Sequence, residues 1–547
     1  MHKIFKNHKP YSAPVLLLLI LFAIIVLRNA WISDDAYITF RTIENFLHGY
    51  GLSYNVGERV QVYTHPLWMF IIAFLYYGVL SIFGDFTFGG LYYVTLFASF
   101  FFSMGAVVIL SSKIARTTRS AILGLLILLF SKAFIDFTTS GLENPLSYFL
   151  LSLYLLTYFK EGDNPDKKLF QLSLIASLGT LNRLDTFLLF IPGILWIYFK
   201  SPGKRKNAGI LMLGFIPLII WEIFSLIYYG FPFPNTAYAK LYTSIPQALL
   251  LKQGLYYLIN SLNWDIVTLL AIGFSVGMIF IKRDWKHLPL LTGIFMYLLY
   301  TIKIGGGFMS GRFLSMPLFF SVAILTQYRY RRIEPYIQIL FILILAGFSS
   351  SRSPILSDET YGQDVPLANK LDNRGISDER AFYYPSTGFF TSSRGVNFPA
   401  SKWINGFWSV NENKRSVIIA NAAGITGYEL GPNTYIIDVN AIVDPLLARL
   451  PVKSYCTWSV GRIGHFKRAI PIGYQQTIES DSNQISNPDL HKYYDKLTIL
   501  TQGDIFSWER IAEIWNFNTG EYNYLLQEYL SQPETRSATF SENCPLP

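Results

Sequence analysis

The stretch APVLLLLILFAIIVLRNAWISDDAYITFRTIENFLHGYG, residues 13–51, joins two segments of opposite chemistry. Residues 13–30 are apolar and about as long as a helix that crosses ~30 Å of hydrocarbon. Two adjacent carboxylates, Asp34 and Asp35, follow at once. A span that delivers a pair of acids to its own edge sets two questions: how many such spans follow, and what two acids do there.

Composition answers the first. Of 547 residues, 51% are hydrophobic, 17% aromatic and only 15% charged, too apolar for a soluble protein of several domains. Apolar runs recur near 66–84, 88–112, 120–135, 143–160, 169–182, 187–200, 208–229, 264–281, 288–304, 313–327 and 336–351, then stop. The expected fold is mainly α: a polytopic transmembrane helix bundle over 1–351, with a first outer loop at 32–65, and a soluble extracytoplasmic α/β domain over 352–547.

The net charge of +9 does not point to nucleic acid. Lys3, Lys6 and Lys9, then Lys113, Arg116 and Arg119, Lys200 to Lys206, Lys282 to Lys286 and Arg329 to Arg332 sit in short loops between runs. This is the positive-inside pattern, and it places the N-terminus in the cytoplasm. Loops carrying the acid pair, Glu143, Arg183 and Asp185, Asn235 and Lys240, and residues 305–312 then share the outer side with everything after 352. Parity needs an even number of crossings between Asp34 and Glu143, so 66–84 is expected to be re-entrant or interfacial, leaving about eleven spans. No small-residue cleavage site follows the first run, so it is expected to be a retained span.

In the C-terminal segment, RSVIIANAAGITGYEL and NTYIIDVNAIVDPLLARL predict strand, helix, strand, helix. NAAGITG lacks the GxGxxG spacing, which argues against a nucleotide. The two cysteines, Cys456 and Cys544, both lie in this segment, where an oxidising space would favour a disulfide. Trp403, Trp408 and Trp458 suit either stacking on a carbohydrate or core packing.

Around the acid pair, Ser33 predicts an N-cap, with acids in the first turn and glycines 49 and 51 as the stop of a helix over 34–48. Tyr37, Phe40, Ile43 and Leu47 give it one apolar face that could lie on the membrane surface. Capping accounts for one acid. Two at a membrane edge suit a general base, a divalent-cation ligand, or both. Other loops add matching parts: Glu143 in FTTSGLENPLSY (137–148), Asn235 and Lys240 in FPFPNTAYAKL (231–241), Arg312 in GGGFMSGRFLSMP (305–317), and His65 in YTHPLW (63–68), a hydrogen-bonded structural group or a proton shuttle.

DDAYI (34–38), GERVQVYTHPLW (57–68), SGLENPL (141–147), NRLD (182–185), PNTAYAK (234–240), GGGFMSGRFL (305–314) and IVDPLLAR (442–449) together resemble the GT-C superfamily of membrane glycosyltransferases. The resemblance is greatest to the branch that includes the mycobacterial terminal arabinofuranosyltransferases, and it runs in the same order from about 30 to 450. It implies a multi-pass enzyme of a bacterial inner (plasma) membrane, with its C-terminal domain periplasmic or extracellular. The implied reaction inverts a sugar from a polyprenyl-phosphate donor onto a cell-envelope glycan or glycolipid acceptor, without nucleotide. Asp34 or Asp35 is the implied base and Glu143 a second catalytic acid. Arg41, His65, Asn235, Lys240 and Arg312 are implied on the donor, and Arg183 and Asp185 in an acceptor or structural role. A divalent cation (Mg or Mn) would sit on Asp35 and Glu143. The sequence departs from the family where its GGD turn reads GGG, at Gly307, and where a TRPE-like motif reads NRLD; these departures bear on the acceptor pocket, on metal use and on arabinose specificity. A transporter or flippase of lipid-linked sugars would share the spans, but the halves show no self-similarity and the large outer segment would have no use. A non-catalytic assembly protein would leave the acids unexplained.

Overall fold

The computed structural model describes residues 12–84, 90–162, 164–241, 243–330, 333–349, 352–363, 365–392, 415–453 and 463–532. The chain is a helical bundle. Pro66–Phe83, Gly90–Ile114 and Lys204–Tyr229 are long and apolar enough to cross a membrane, as is the pair Gln247–Trp264 and Ile266–Lys282, bent by 107° at its break. Asp265 accounts for the bend: its carboxylate accepts from Ser131 Oγ, Thr268 Oγ1 and the Ala133 amide, holding two helix breaks together. Shorter apolar helices, among them Ala13–Arg28 and Thr118–Phe130, share a core with these in a multi-pass membrane bundle. Proline opens several helices, including Pro66–Phe83 and Pro165–Asn182, at a position where the missing N–H is not needed.

Contacts to other segments flank the Pro66–Phe83 helix. His65 at its start meets Glu143, Tyr76 midway donates to Glu44, and Tyr92 beyond its end donates to the Thr387 carbonyl. All three partners belong to the first loop, its neighbour or the C-terminal segment.

In the C-terminal segment, Ser416–Ala420 and Thr434–Asp438 form a two-stranded parallel sheet, joined through the short helix Ile425–Glu429. The second helix expected after Asp438 is reduced to a 3-10 turn at Leu447–Arg449, because Asp438 and Asp444 turn the chain by accepting from backbone amides at 440, 442 and 447. Helices Pro488–Gln502, Trp508–Thr519 and Asn523–Ser531 follow. The segment is not a separate body. One apolar core runs from Ala30 and Tyr37 through Phe308 to Ile425 and Ile436, and another joins Phe231 and Ala239 to Ile437 and Leu497.

The helix bearing the acids spans Asp34–Leu47, with Gly49 at φ 84° and Gly51 at φ 82° beyond its end. Ser33 caps it without a side-chain bond; its amide instead donates to the Ser140 carbonyl at 2.9 Å. The expected apolar face is present but does not lie against lipid. Tyr37, Phe40 and Ile43 are buried, and Tyr37 and Phe40 stand edge-on to Tyr428 of the C-terminal segment. Protein covers this helix because the C-terminal segment folds over the loop.

Candidate functional site

Successive residues of a helix point about 100° apart, so adjacent acids cannot share an environment. Asp34 Oδ1 accepts from the Ile425 amide at 2.8 Å, at the N-terminus of the short C-terminal helix. Gly424 makes room for it: a Cβ at 424 would meet the Asp34 carboxylate and backbone. Asp35, one step round, accepts no hydrogen bond and forms no ion pair among the described residues, and it is partly exposed.

Glu143 lies at the mouth of the bundle, just before the Asn144–Phe159 helix, and is buried. Arg312 Nη2 reaches both its oxygens at 3.0 Å, and Arg183 Nη1 donates to Oε1 at 2.9 Å. Burial works against its ionisation. The facing Arg312 and Arg183 guanidiniums and His65 outweigh burial and hold the carboxyl well below its ordinary range. Glu143 is therefore a fixed anion that orients cations.

The rest of the cluster follows from that anion. Arg183 forks onto Asp185 at 2.7 and 2.9 Å and lies over the Phe313 ring. Tyr297 donates to the same carboxylate, so NRLD builds a support for Glu143. His65 Nδ1 stands 3.5 Å from Glu143 Oε2 while Nε2 meets Thr39 Oγ1 at 2.9 Å. Burial pushes its imidazole down to about 4, against the pull of Glu143, so it is neutral at pH 7. Arg312 keeps its Nε without a partner among the described residues. At Gly307 a Cβ would come within 2.9 Å of the Phe313 ring, so a larger residue there requires that ring to shift.

FPFPNTAYAK divides in the same way as the acid pair. The Asn235 amide is buried and donates to the carbonyls of Ala441, Ile442 and Asp444, while its oxygen faces Arg449. Lys240, on the same Asn235–Leu241 helix, has no hydrogen bond or ion pair among the described residues. It is exposed yet has protein close around it, with Gly464 against its stem. Burial lowers its proton affinity; Asp35 and Glu143 raise it, and Arg312 and Arg183 lower it. All five groups therefore share one neighbourhood.

Two expected roles change. Arg41 is 2% exposed, and its three nitrogens donate to the carbonyls of Tyr54, Gly427 and Thr434 over the Tyr54 ring. It clamps the loop to the C-terminal segment. Asp35 with Glu143 does not fit a divalent cation, since two guanidiniums already neutralise Glu143 and would repel the ion; among the described residues no group of three or more His, Cys, Asp and Glu could hold one. Cys456, Cys544, Trp403, Trp408 and Trp458 lie outside the described residues. Sequence reading missed Thr39, Tyr297 and Gly464, which carry no motif of their own, and Phe313, an uncharged member of GGGFMSGRFL; only their neighbours in space reveal them.

No family model matches the chain. It is 27% identical over 330 residues to a terminal beta-(1->2)-arabinofuranosyltransferase of Corynebacterium glutamicum, covering 53% of this chain and 46% of that one. It is 27% identical over 422 residues to the Mycobacterium tuberculosis protein of the same name, covering 66% and 63%. The matches thus span about half the length of the first relative and under two thirds of the second. Among solved structures, the apo oligosaccharyltransferase of Archaeoglobus fulgidus aligns with a TM-score of 0.43 and 13% identity over 90% of this chain and 72% of that one. The resemblance carried by the seven motifs is borne out at the level of sequence: the chain is a relative of the terminal arabinofuranosyltransferases.

Proposed function

We propose that the chain is an inverting glycosyltransferase that moves a sugar from a polyprenyl-phosphate donor to a cell-envelope glycan or glycolipid on the outer face of the membrane. The observation that carries this reading is the pair Asp35 and Lys240, a carboxylate and a cation with no hydrogen bond or ion pair among the described residues, beside the Arg312–Glu143–Arg183 cluster.

The chemistry matches those parts. Asp35 takes the proton of an acceptor hydroxyl as its oxygen attacks the anomeric carbon. The bond from that carbon to the phosphate oxygen breaks on the opposite side, and the lipid leaves as a phosphomonoester. Charge on the phosphate grows from one negative toward two in this step, so Lys240 and Arg312 act where charge develops. Glu143 fixes the direction of Arg312, and Asp34 fixes the height of the helix that presents Asp35. The relatives' name supports a pentofuranose as the sugar to test first.

The test is transfer from a panel of polyprenyl-phosphate sugars, headed by arabinofuranose, by the purified full chain in lipid nanodiscs. Asp35→Asn should lower the rate ~10²–10⁴-fold, the usual worth of a general base, while Asp34→Asn retains most of it. A folded Asp35→Asn variant working at the parent rate would remove the assignment.

A further inference from the structure

The Trp508–Thr519 helix turns two tryptophans outward and two charged residues inward. A surface helix normally turns charge to water and apolar residues inward. Here Arg510 and Glu513 are buried, at 0% and 4% exposure, while Trp508 is 85% exposed, Trp515 71% and the preceding Phe506 78%. Trp508, Ile511 and Trp515 fall at i, i+3 and i+7, one continuous stripe, and no lysine or arginine lies on it. Packing against the rest of the chain does not cover this face.

What lies beside the stripe identifies its partner. Arg510 Nη1 donates to the carbonyl of Ile227 at 2.7 Å and Nη2 to that of Tyr228 at 2.9 Å, and Asn518 donates to the carbonyl of Gly230 at 2.8 Å. These are the carbonyls at the end of Lys204–Tyr229, the 26-residue helix that is the most apolar of the three single helices long enough to cross a membrane, and it is mostly uncovered by the rest of the protein. Its own exposed residues, Ile216, Ile220, Ile223 and Ile227, run up to the point where Arg510 attaches. The exposed apolar face of a membrane span therefore ends at the helix that carries the tryptophan stripe.

We infer that the Trp508–Thr519 helix lies in the membrane interface, with Phe506, Trp508, Ile511 and Trp515 among the outer lipid headgroups. Tryptophan prefers that depth, where its ring is shielded and its N–H stays wet. A helix docked at the end of a span stands at the right height to reach it. The helix also touches the site loop: Phe517, on its protein side, packs against Phe231, over which Arg449 lies. A lipid contact on one face thus steadies the segment carrying Asn235 and Lys240 on the other.

The test uses the full chain in phosphatidylcholine–phosphatidylglycerol vesicles. Trp508→Cys and Trp515→Cys, each labelled with an environment-sensitive fluorophore, are compared with Glu479→Cys and with the labelled parent chain as background. Both stripe sites are exposed, so the substitutions leave packing intact. The inference expects blue-shifted emission at 508 and 515, quenching by lipids bearing a doxyl group near the headgroup, poor quenching by iodide, and no dependence on protein-to-lipid ratio. Strong iodide quenching with no lipid quenching at 508 and 515 would overturn it. Protection that appears only at high protein density would assign the stripe to a second copy and overturn it equally.

Discussion

Arg312 closes both oxygens of Glu143 at 3.0 Å, a one-handed grip that ties the turn after residue 304 to the loop before residue 144. Glu143 is buried, Arg312 is half-buried, and Arg183 joins them as a third member, so the anion is engaged by two guanidiniums.

Glu143→Gln leaves the half-buried Arg312 without its counter-charge and Arg183 with Asp185 alone. Breaking such a pair from one side typically costs ~3–5 kcal/mol. The melting temperature in detergent should fall sharply, whereas Arg312→Lys, which keeps the charge and loses the fork, should fall less and still impair transfer.

Acid stability has a different source. The Glu143 carboxyl lies below its unfolded value, so its contribution is present above about pH 4.5 and persists until the pH falls through the folded value. His65 titrates near 4 when folded and near 6.5 when unfolded, so the unfolded state binds the proton first, and stability declines as pH falls from 6.5 toward 4. At ~1.4 kcal/mol per pH unit the loss approaches ~3 kcal/mol. Chemical denaturation at pH 7 and 4.5 measures it, and His65→Gln should flatten the slope.

Alkaline stability should respond to Glu58. Burial and the nearby Asp444 push its carboxyl up to about 8, although Tyr435 donates to it at 2.9 Å. A folded value above the unfolded one means stability is complete below about pH 4.5 and is lost as pH rises through 8. Glu58→Gln keeps an acceptor for Tyr435 and should raise the melting temperature at pH 8.5 relative to the parent while changing it little at pH 5. An unchanged difference between those pH values would refute this.

Lys240 and Arg41 separate chemistry from structure. Lys240→Met should leave the melting temperature intact and reduce transfer by about two orders of magnitude, the usual worth of one donor aimed at developing charge, with Lys240→Arg between the two. Arg41→Lys removes bonds to buried carbonyls and should cost ~1–3 kcal/mol of stability with donor KM unchanged in the folded fraction.

The bundle, the acid pair, the loop motifs and the strand–helix–strand unit were legible because each is local: a run of apolar residues, a cap, a β-branched stretch. The division of labour within each motif was not. Asp34 and Asp35 are equivalent in sequence, and what separates them is Ile425, which lies 391 positions away. Asn235 and Lys240 separate for the same reason, through Ala441 and Gly464. The loop helix was expected against lipid because its apolar face has the right spacing; spacing cannot say whether lipid or Tyr428 covers that face. The tryptophan stripe was hidden because Arg510 and Glu513 break the apolar pattern from inside.

The bond from Ile425 to Asp34 also sets an order of events during synthesis. The helix that presents Asp35 is made among the first fifty residues, but the groups that seat it arrive only with residues 423–434. Until then Arg41 and Asp34 lack these partners, and Lys240 has no Gly464 against its stem. The seat of the Asp35 helix is thus complete only once the last quarter of the chain has been made. A ribosome that stops early releases a bundle whose first loop has lost these contacts.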